Sequence, residues 1–296
     1  MAEPASSPAA DAAPAAPRRP SHPIEPRLVI GLIVVGALLI IAAFAPLIAP
    51  HDPLEQDLLY SMLPPSWQSG GEPGYFFGTD NLGRDILSRL IYATRVALTV
   101  AFVAALLAAA IGSLLGLSAG YFGGIVDQAV SRLVEVWMAF PPVLLAIVLA
   151  AVLGAGLSSV IVAIVVVDWT RFARVVRSET MVEREMEYVA SARTLGLSGP
   201  FILAKEVLPN VLPLIITLLS VEMGIAIVVE AILSFVGLSV STDFPTWGGM
   251  IAEGRQVVYQ TPWLLGLPIA CIVVSVLGFN LTGDGLRHAL DPVHRR

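Results

Sequence analysis

The run Val96–Tyr121, VALTVAFVAALLAAAIGSLLGLSAGY, contains no charged residue and decides the fold class of this chain. Crossing about 30 Å of hydrocarbon takes roughly 20 apolar residues as helix, so this run predicts a membrane span. Gly112, Gly116 and Gly120 recur at every fourth position within it. Such a ridge of small residues lets a second helix approach closely, so we predict that this helix packs inside a bundle. The alternative is chance spacing in a chain rich in Gly and Ala.

The composition of the whole chain points to the same class of protein. Its 296 residues are 56% hydrophobic and 14% charged, with a mean hydropathy of +0.81, as in integral membrane proteins. The formal charge of −6, without a basic block, argues against a nucleic-acid partner. The lone Cys271 excludes a disulfide framework, and the scattered histidines offer no pair with metal-ligand spacing. With no credible Ser-His-Asp or Cys-His set either, the chain is not expected to be an enzyme.

Further apolar runs predict an all-α integral membrane protein with six transmembrane helices and both termini in the cytoplasm. Val136–Val167 is too long for one ordinary span, and GAGLSS at Gly154–Ser159 supplies a turn that divides it. The predicted order begins with a disordered cytoplasmic tail (1–26), a first transmembrane helix (27–49) and an extracytoplasmic loop with an interfacial helix (50–95). A core (96–283) follows, with spans at about 96–121, 137–153, 158–175, 211–236 and 263–281. The chain ends in a cytoplasmic tail (284–296). A cytoplasmic loop, 176–209, lies within the core.

The distribution of basic residues supports this orientation. With both termini inside, 13 of the 17 Lys and Arg residues fall on the cytoplasmic side and 4 fall outside. Lys and Arg concentrate in cytoplasmic loops, so the bias favours the predicted topology.

The cytoplasmic loop contains an unusual double segment, Glu187–Asn210, EYVASARTLGLSGPFILAKEVLPN. Glu183–Leu195 is rich in helix formers, and Gly196 is expected to stop that helix. Pro200 fits the first turn of a second helix, where its missing N–H does no harm. A solvated charged loop is the alternative, but it does not explain the order of helix, Gly, helix and Leu-Pro.

This segment resembles the "EAA" loop of ABC importer permeases, whose pattern is roughly E-A-A, three residues, G, nine residues, I-x-L-P. Here Ala190, Ser191 and Ala192 precede Gly196, and nine residues then lead to Glu206–Pro209, EVLP. The spacing is intact, but Ala190 replaces the Glu, Ser191 an Ala and Glu206 the Ile.

Five further segments narrow the resemblance to the dipeptide/oligopeptide/nickel permeases, and within them to the C-type subunit. They occur in the family's order: FGTDNLGRDILSRLIYATRVAL (Phe77–Leu98), RLVEVWMAFP (Arg132–Pro141), EAILSFVGLSV (Glu230–Val240), TWGGMIAEGR (Thr246–Arg255) and FNLTGDGLRHALDP (Phe279–Pro292). The resemblance covers about Arg27 to Pro292 and implies a type I ABC importer permease-like fold.

The resemblance also implies a function and a set of partners. The chain would form half of the translocation pathway of an ATP-driven importer of di- or oligopeptides, nickel chelates or related small solutes. The partners implied are a second homologous permease subunit, two cytoplasmic ATPase subunits, an extracytoplasmic substrate-binding protein and membrane lipid. ATP and Mg would bind the ATPase subunits and no cofactor would bind this chain, whose only lysine, Lys205, follows Ala204 and so cannot complete a phosphate-binding loop.

In that family the loop forms a coupling helix that docks on the ATPase. The positions that carry over to this chain are Glu187, Tyr188, Ala190, Ser191, Ala192, Arg193 and Gly196.

Three acidic residues, Asp168, Glu222 and Glu230, fall inside or at the edge of predicted spans. A carboxylate in hydrocarbon is costly, so each is expected to face the bundle, a wet cavity or a partner charge. Glu222 and Glu230 could line the pathway, whereas Asp168 could simply pair with Arg171. An ion-coupled secondary transporter using Glu222 and Glu230 is the alternative function, although no internal repeat supports it. A membrane-embedded enzyme would need a polar constellation at one depth, and none is apparent.

The outer loop carries a second polar segment. Asp80 or Asn81 is predicted to cap an interfacial helix whose apolar residues, including Ile86 and Leu90, recur at helical spacing. That helix would cap the bundle or contact the binding protein. Trp247 and Trp263 are interpreted as interface aromatics.

Overall fold

The structure is a computed structural model that describes residues 25–239 and 244–290. The regular structure of these residues is helical, which agrees with the predicted all-α class. The α-helices are α1 (Pro26–Ala43), α2 (Ala45–Ile48), α3 (Ile86–Phe122), α4 (Gly124–Met138), α5 (Pro142–Leu153), α6 (Leu157–Arg184), α7 (Glu187–Thr194), α8 (Gly199–Ile202), α9 (Leu208–Phe235), α10 (Trp247–Gln256) and α11 (Pro262–Leu290). All but the last two residues of the predicted tail 1–26, and the end of the predicted tail 284–296, lie outside the described residues.

Helices α3 and α6 form the centre of the bundle, and the glycine ridge of α3 is their contact surface. A Cβ atom on Gly112 would collide with the carbonyl oxygen of Trp169, and one on Gly116 would lie 2.6 Å from that of Ala173. Gly120 is equally tight, 2.7 Å from the carbonyl oxygen of Arg177. The prediction that these glycines mediate close helix packing is confirmed.

Four helical segments among the described residues are long and apolar enough to cross a membrane: α1, α3, α8 with α9, and α11. The pair α4–α5 adds a fifth if counted as one span, although it is bent by 85°. The predicted division at Gly154–Ser159 is confirmed, because α5 ends at Leu153 and α6 begins at Leu157. Helix α6 runs along α3 but carries more charge than an ordinary span.

The first and last long helices pair at one side of the bundle. Helix α1 packs on α11, where Gly31 and Gly285 let the two backbones approach closely. Their outward residues are large and apolar, including Leu32, Ile33 and Leu277. This surface has the composition expected of one that faces lipid.

The predicted separate interfacial helix is wrong, because residues 86–95 are the first turns of α3 itself. The predicted cap is also wrong. Asp85, and neither Asp80 nor Asn81, caps α3, since its Oδ2 accepts from the backbone N–H of Ser88 at 2.8 Å. Residues 78–85 fold into a turn ahead of the helix, in which the Ile86 N–H donates to the carbonyl oxygen of Gly78, so the capping carboxylate is that of Asp85, the last residue of the turn.

Asp80 instead belongs to a buried ionic cluster at the start of α3. Its Oδ2 accepts from Arg84 Nε at 2.7 Å and from Arg89, and Glu253 of α10 accepts from Arg89 Nη1 at 2.6 Å. The cluster therefore ties the loop of residues 49–85 and the start of α3 to α10. Trp247 is not an interface aromatic, because its side chain is 1% exposed and its Nε1 donates to the carbonyl oxygen of Leu90 at 3.3 Å.

Candidate coupling site and buried charges

The predicted helix Glu183–Leu195 is two helices. Helix α6 ends at Arg184, and Met186 adopts an extended conformation (φ −71°, ψ 149°) as the N-cap of α7. The chain therefore turns between Arg184 and Glu187, and α7 is a separate short element. Propensity alone missed the turn because Glu and Met are both good helix formers.

The predicted stop at Gly196 is confirmed, and its geometry is a complete Schellman motif. Gly196 has φ +78°, a left-handed conformation that favours glycine. Its N–H donates to the carbonyl oxygen of Arg193 at 3.0 Å, and that of Leu197 donates to Ala192 at 3.3 Å. Pro200 lies in the first turn of α8, as predicted.

One face of α7 is anchored in the bundle. Val189 and Ala192 are buried there in a cluster with residues of α3, α6, α8 and α9. The cluster includes Leu117 and Tyr121 of α3 and Val176 of α6. Ala192, whose side chain is 6% exposed, therefore packs against its own chain.

The other face of α7 is open to solvent. Glu187, Ala190, Ser191 and Arg193 are exposed, as is Gly196 in the following turn. The apolar side chains just beyond the helix are also exposed, and Leu195 reaches 80%. The site residues predicted from sequence thus divide between an exposed set and the less exposed Tyr188 and Ala192.

Tyr188 connects α7 to the ends of α6 and α9. Its hydroxyl donates to Glu183 and accepts from Asn210 Nδ2 at 3.2 Å. Burial, together with the hydrogen bond to the Glu183 carboxylate, raises the pKa of Tyr188 to about 12. The phenol is therefore neutral at physiological pH and available as a donor. Neither Glu183 nor Asn210 carries a local sequence signal of this role.

Two arginines fasten the α7 end of α6 to neighbouring helices. Arg184 Nη1 donates to the carbonyl oxygen of Gly120, at the end of α3, at 3.1 Å. Arg177 forms a bidentate ion pair with Asp127 of α4: its Nε donates to Oδ1, and its Nη2 donates to Oδ2 at 2.8 Å. The end of α6 that precedes α7 is therefore joined to both α3 and α4.

The carboxylates inside the spans all have polar neighbours. Glu222 is fully buried and accepts from Arg171 Nη1 at 3.0 Å. Arg171 also lies 4.0 Å from Asp168, so the predicted Asp168–Arg171 pair is present. Glu230 accepts from Ser234 at 2.5 Å and from Ser239 at 3.1 Å. Both glutamates lie on α9, distant in sequence from the residues of α7.

Comparison with known proteins places this arrangement in a family. Residues 112–296 match the family model described as "Binding-protein-dependent transport system inner membrane component", and residues 26–65 match "N-terminal TM domain of oligopeptide transport permease C". The chain belongs to the dipeptide/oligopeptide permease family of ABC transporters, as a C-type subunit. It is thus a multi-pass protein of the bacterial inner membrane and a transport subunit, not an enzyme. The family implies ATPase and permease partners for this permease, and ATP use by the ATPase.

Several relatives align over most of this permease. It is 40% identical to the "Dipeptide transport system permease protein DppC" of Haemophilus influenzae over 89% of each chain. It is 34% identical to the "Oligopeptide transport system permease protein OppC" of Bacillus subtilis, over 100% of this chain and 98% of the relative. A glutathione transport system permease, GsiD of Shigella dysenteriae, is 40% identical over 86% of this chain and 82% of its own length.

The fold also resembles a solved structure. A chain of the MetNI methionine ABC transporter, in an inward-facing conformation, superposes with a TM-score of 0.59 and 20% identity. The match covers 70% of this permease and 98% of the MetNI chain. At this identity the likeness concerns the fold alone.

Proposed function

We propose that the chain forms half of the translocation pathway of an importer for di- or oligopeptides or related small solutes. The named transport systems of its relatives, dipeptide, oligopeptide and glutathione, support this cargo class. The other half would be a second homologous permease subunit. Two cytoplasmic ATPase subunits would bind ATP and Mg, and an extracytoplasmic binding protein would deliver the solute.

We propose the predicted topology for this assembly. Six spans, with α4–α5 counted as one and α6 as another, put α7 in the cytoplasm together with both termini. The bias of 13 basic residues inside against 4 outside supports this orientation.

The coupling proposal rests on the difference between the two faces of α7, one of which is buried in the bundle while the other is exposed. Its exposed residues Glu187, Ala190, Ser191 and Arg193, with the turn at Gly196, form a small surface on which an ATPase cleft can close. Glu187 and Arg193 supply polar groups where the family pattern has its Glu, a position held here by Ala190.

Tyr188 and Ala192 have a different role in this proposal. They hold α7 on the bundle, through the hydrogen bonds of Tyr188 and the packing of Ala192. Closure of the ATPase dimer on ATP would move α7, and its contacts would pass the motion to α3, α6 and α9 as rigid helices.

For Glu222 and Glu230 we propose a supporting role in the pathway wall. Both carboxylates are buried within this chain, and Glu222 positions Arg171, whose side chain is 37% exposed. The ion-coupled alternative, in which these glutamates bind the driving ion, is not supported, since the relatives are subunits of ABC systems.

The coupling proposal is tested by placing bulk on the exposed face of α7. Ser191→Trp is expected to lower ATP-driven uptake of an alanine peptide series, from dipeptide to pentapeptide, at least about tenfold, because the indole blocks docking. Co-purification of the ATPase subunits should fall in parallel. Ser69→Trp, the same change at an exposed residue of the outer loop, should behave as wild type.

The outcomes separate the two parts of the proposal. Normal uptake and assembly in Ser191→Trp would contradict the assignment of α7 as the coupling element. Absence of uptake of every peptide by the assembled wild-type complex would contradict the proposed cargo class.

A further inference from the structure

A cleft of about 400 Å³ lies between α4 and α6, apart from the coupling site. Its lining includes Glu135 and the apolar residues Val134, Met138 and Ala139 from the α4 side, and Arg174 and Arg177 from α6. The volume lies within the range of roughly 300–1,000 Å³ typical of small-molecule sites. The cleft therefore combines two arginines, a carboxylate and apolar walls in a space the size of a small solute.

Arg174 is the unusual member of this lining. It is exposed, and within residues 25–239 and 244–290 its guanidinium has no carboxylate at ion-pair distance. Its Nη1 lies 4.0 Å from the sulfur of Met138. The arginines one turn before and after it on α6 do have carboxylate partners: Arg171 pairs with Glu222, and Arg177 pairs with Asp127.

The depth of Arg174 makes this solvent exposure informative. In the proposed topology α6 enters the membrane near Leu157, and at 1.5 Å per residue Arg174 lies about 26 Å along the helix, towards the cytoplasmic end of this span of about 30 Å. An arginine at that depth faces water or protein in preference to lipid, because burying its charge in hydrocarbon is costly. Arg132 of α4, paired with Glu135 at 2.8 Å, adds one more charge beside the cleft. This surface contrasts with the large apolar residues Leu32, Ile33 and Leu277 on the outward face of α1 and α11.

We infer that the α4–α6 cleft is a contact site for the translocated peptide, with Arg174 receiving its terminal carboxylate and Glu135 its amino group. The inference rests on the proposed function, since a free peptide carries both groups. A guanidinium forms strong charge-assisted hydrogen bonds with a carboxylate. The Arg132–Glu135 pair is largely exposed, so an incoming ammonium can replace Arg132 at little cost.

The first test asks whether Arg174 faces water. In the complete transporter in nanodiscs, with Cys271→Ser as background, Arg174→Cys is treated with the water-soluble 2-sulfonatoethyl methanethiosulfonate without nucleotide. It is expected to react at least about tenfold faster than Leu277→Cys, which lies on the apolar outward face of α11. Equal, slow reaction at both positions would overturn the inference.

The second test asks whether the site recognises a carboxylate. Arg174→Gln is expected to slow uptake of the preferred alanine peptide about tenfold or more, and Arg174→Lys much less, because it retains the charge. Uptake of the C-terminally amidated peptide should be slow in wild type and unchanged by Arg174→Gln. Arg27→Gln, the same change at an exposed arginine of α1, should have no effect.

Each remaining outcome contradicts a specific statement. Equal uptake of the free peptide by wild type and Arg174→Gln overturns the inference while leaving the proposed function intact. An effect that depends on phosphatidylglycerol in the vesicles, and not on the peptide carboxylate, assigns Arg174 to an anionic lipid and also overturns it. If Arg174→Gln reduces assembly of the complex and Arg174→Lys does not restore uptake, the role is structural and the inference is wrong.

Discussion

Asp80 is fully buried and accepts hydrogen bonds from two arginines, Arg84 and Arg89. Asp80→Asn would remove the buried negative charge that balances the guanidinium groups of Arg84 and Arg89. Breaking a buried ion pair in this way costs about 3–5 kcal/mol, so the variant should unfold at a distinctly lower temperature in detergent. Asp52→Asn, at an exposed position of the same loop, is the matched control. Equal melting temperatures of the two variants would show that the cluster does not stabilise the fold.

Glu253 completes the same cluster and gives it a pH dependence. Burial alone would raise its pKa, but the hydrogen bonds and charges of Arg89 and Arg84 outweigh burial, and the pKa lies below its usual 4.5. The stabilisation is therefore fully present above the unfolded-state pKa and is lost as pH falls through the lower folded-state pKa. The difference in melting temperature between wild type and Glu253→Gln should be constant above about pH 5 and shrink below it. A constant difference over the whole acid range would contradict this linkage.

At the scale of the elements, the contact between α3 and α6 depends on the absence of side chains. In Gly116→Ala the new Cβ would lie 2.6 Å from the Ala173 carbonyl oxygen and 3.0 Å from the Arg177 nitrogen, both backbone atoms. The helices must move apart, which typically costs about 1–3 kcal/mol. Thermal unfolding of Gly36→Ala provides the control, since a Cβ on that α1 residue has no neighbour within 4 Å. The expectation fails if the Gly116 variant is as stable as the Gly36 variant.

The short helix α7 depends on its C-terminal turn. Gly196→Ala forces a Cβ residue into the left-handed region at φ +78°, which costs roughly 1–2 kcal/mol, and should loosen the Schellman motif. We expect weaker stimulation of the partner ATPase by the loaded binding protein, with the bundle itself still folded. Gly199→Ala is the control, since Gly199 lies in α8 and its added Cβ makes only ordinary contacts from 3.5 Å. Equal ATPase stimulation in the two variants would show that coupling does not depend on the turn at Gly196.

For the whole molecule, the proposed topology can be measured by labelling. In a Cys271→Ser background, Ser69→Cys should react with a membrane-impermeant maleimide in spheroplasts, because the outer loop would face the extracytoplasmic side. Leu195→Cys, whose parent side chain is 80% exposed, should react only after permeabilisation. The reverse pattern, or equal reaction of both, would contradict the positive-inside assignment.

Much of this organisation could be predicted because membrane spans leave strong local patterns. The close packing of α3, the division near Gly154 and the stop at Gly196 each follow from residues next to one another in sequence. The boundary between α6 and α7 could not be predicted, since residues 183–195 have continuous helix propensity. The cap at Asp85 and the burial of Trp247 were missed because they depend on which polar groups and helices meet in space.

The sequence by itself determined the membrane class, the family and the segment that resembles a coupling loop. These follow from uncharged runs, basic-residue bias and motif spacing, which are properties of the chain read in order. Only the tertiary structure decided which residues of that segment are available to a partner. Ala190 and Ala192 are chemically identical, but one is exposed and the other packs in the cluster with α3, α6 and α9. Likewise, only the packing of α4 on α6 brings Glu135 and Arg174 to one cleft, because burial and ion pairing are set by neighbours distant in sequence.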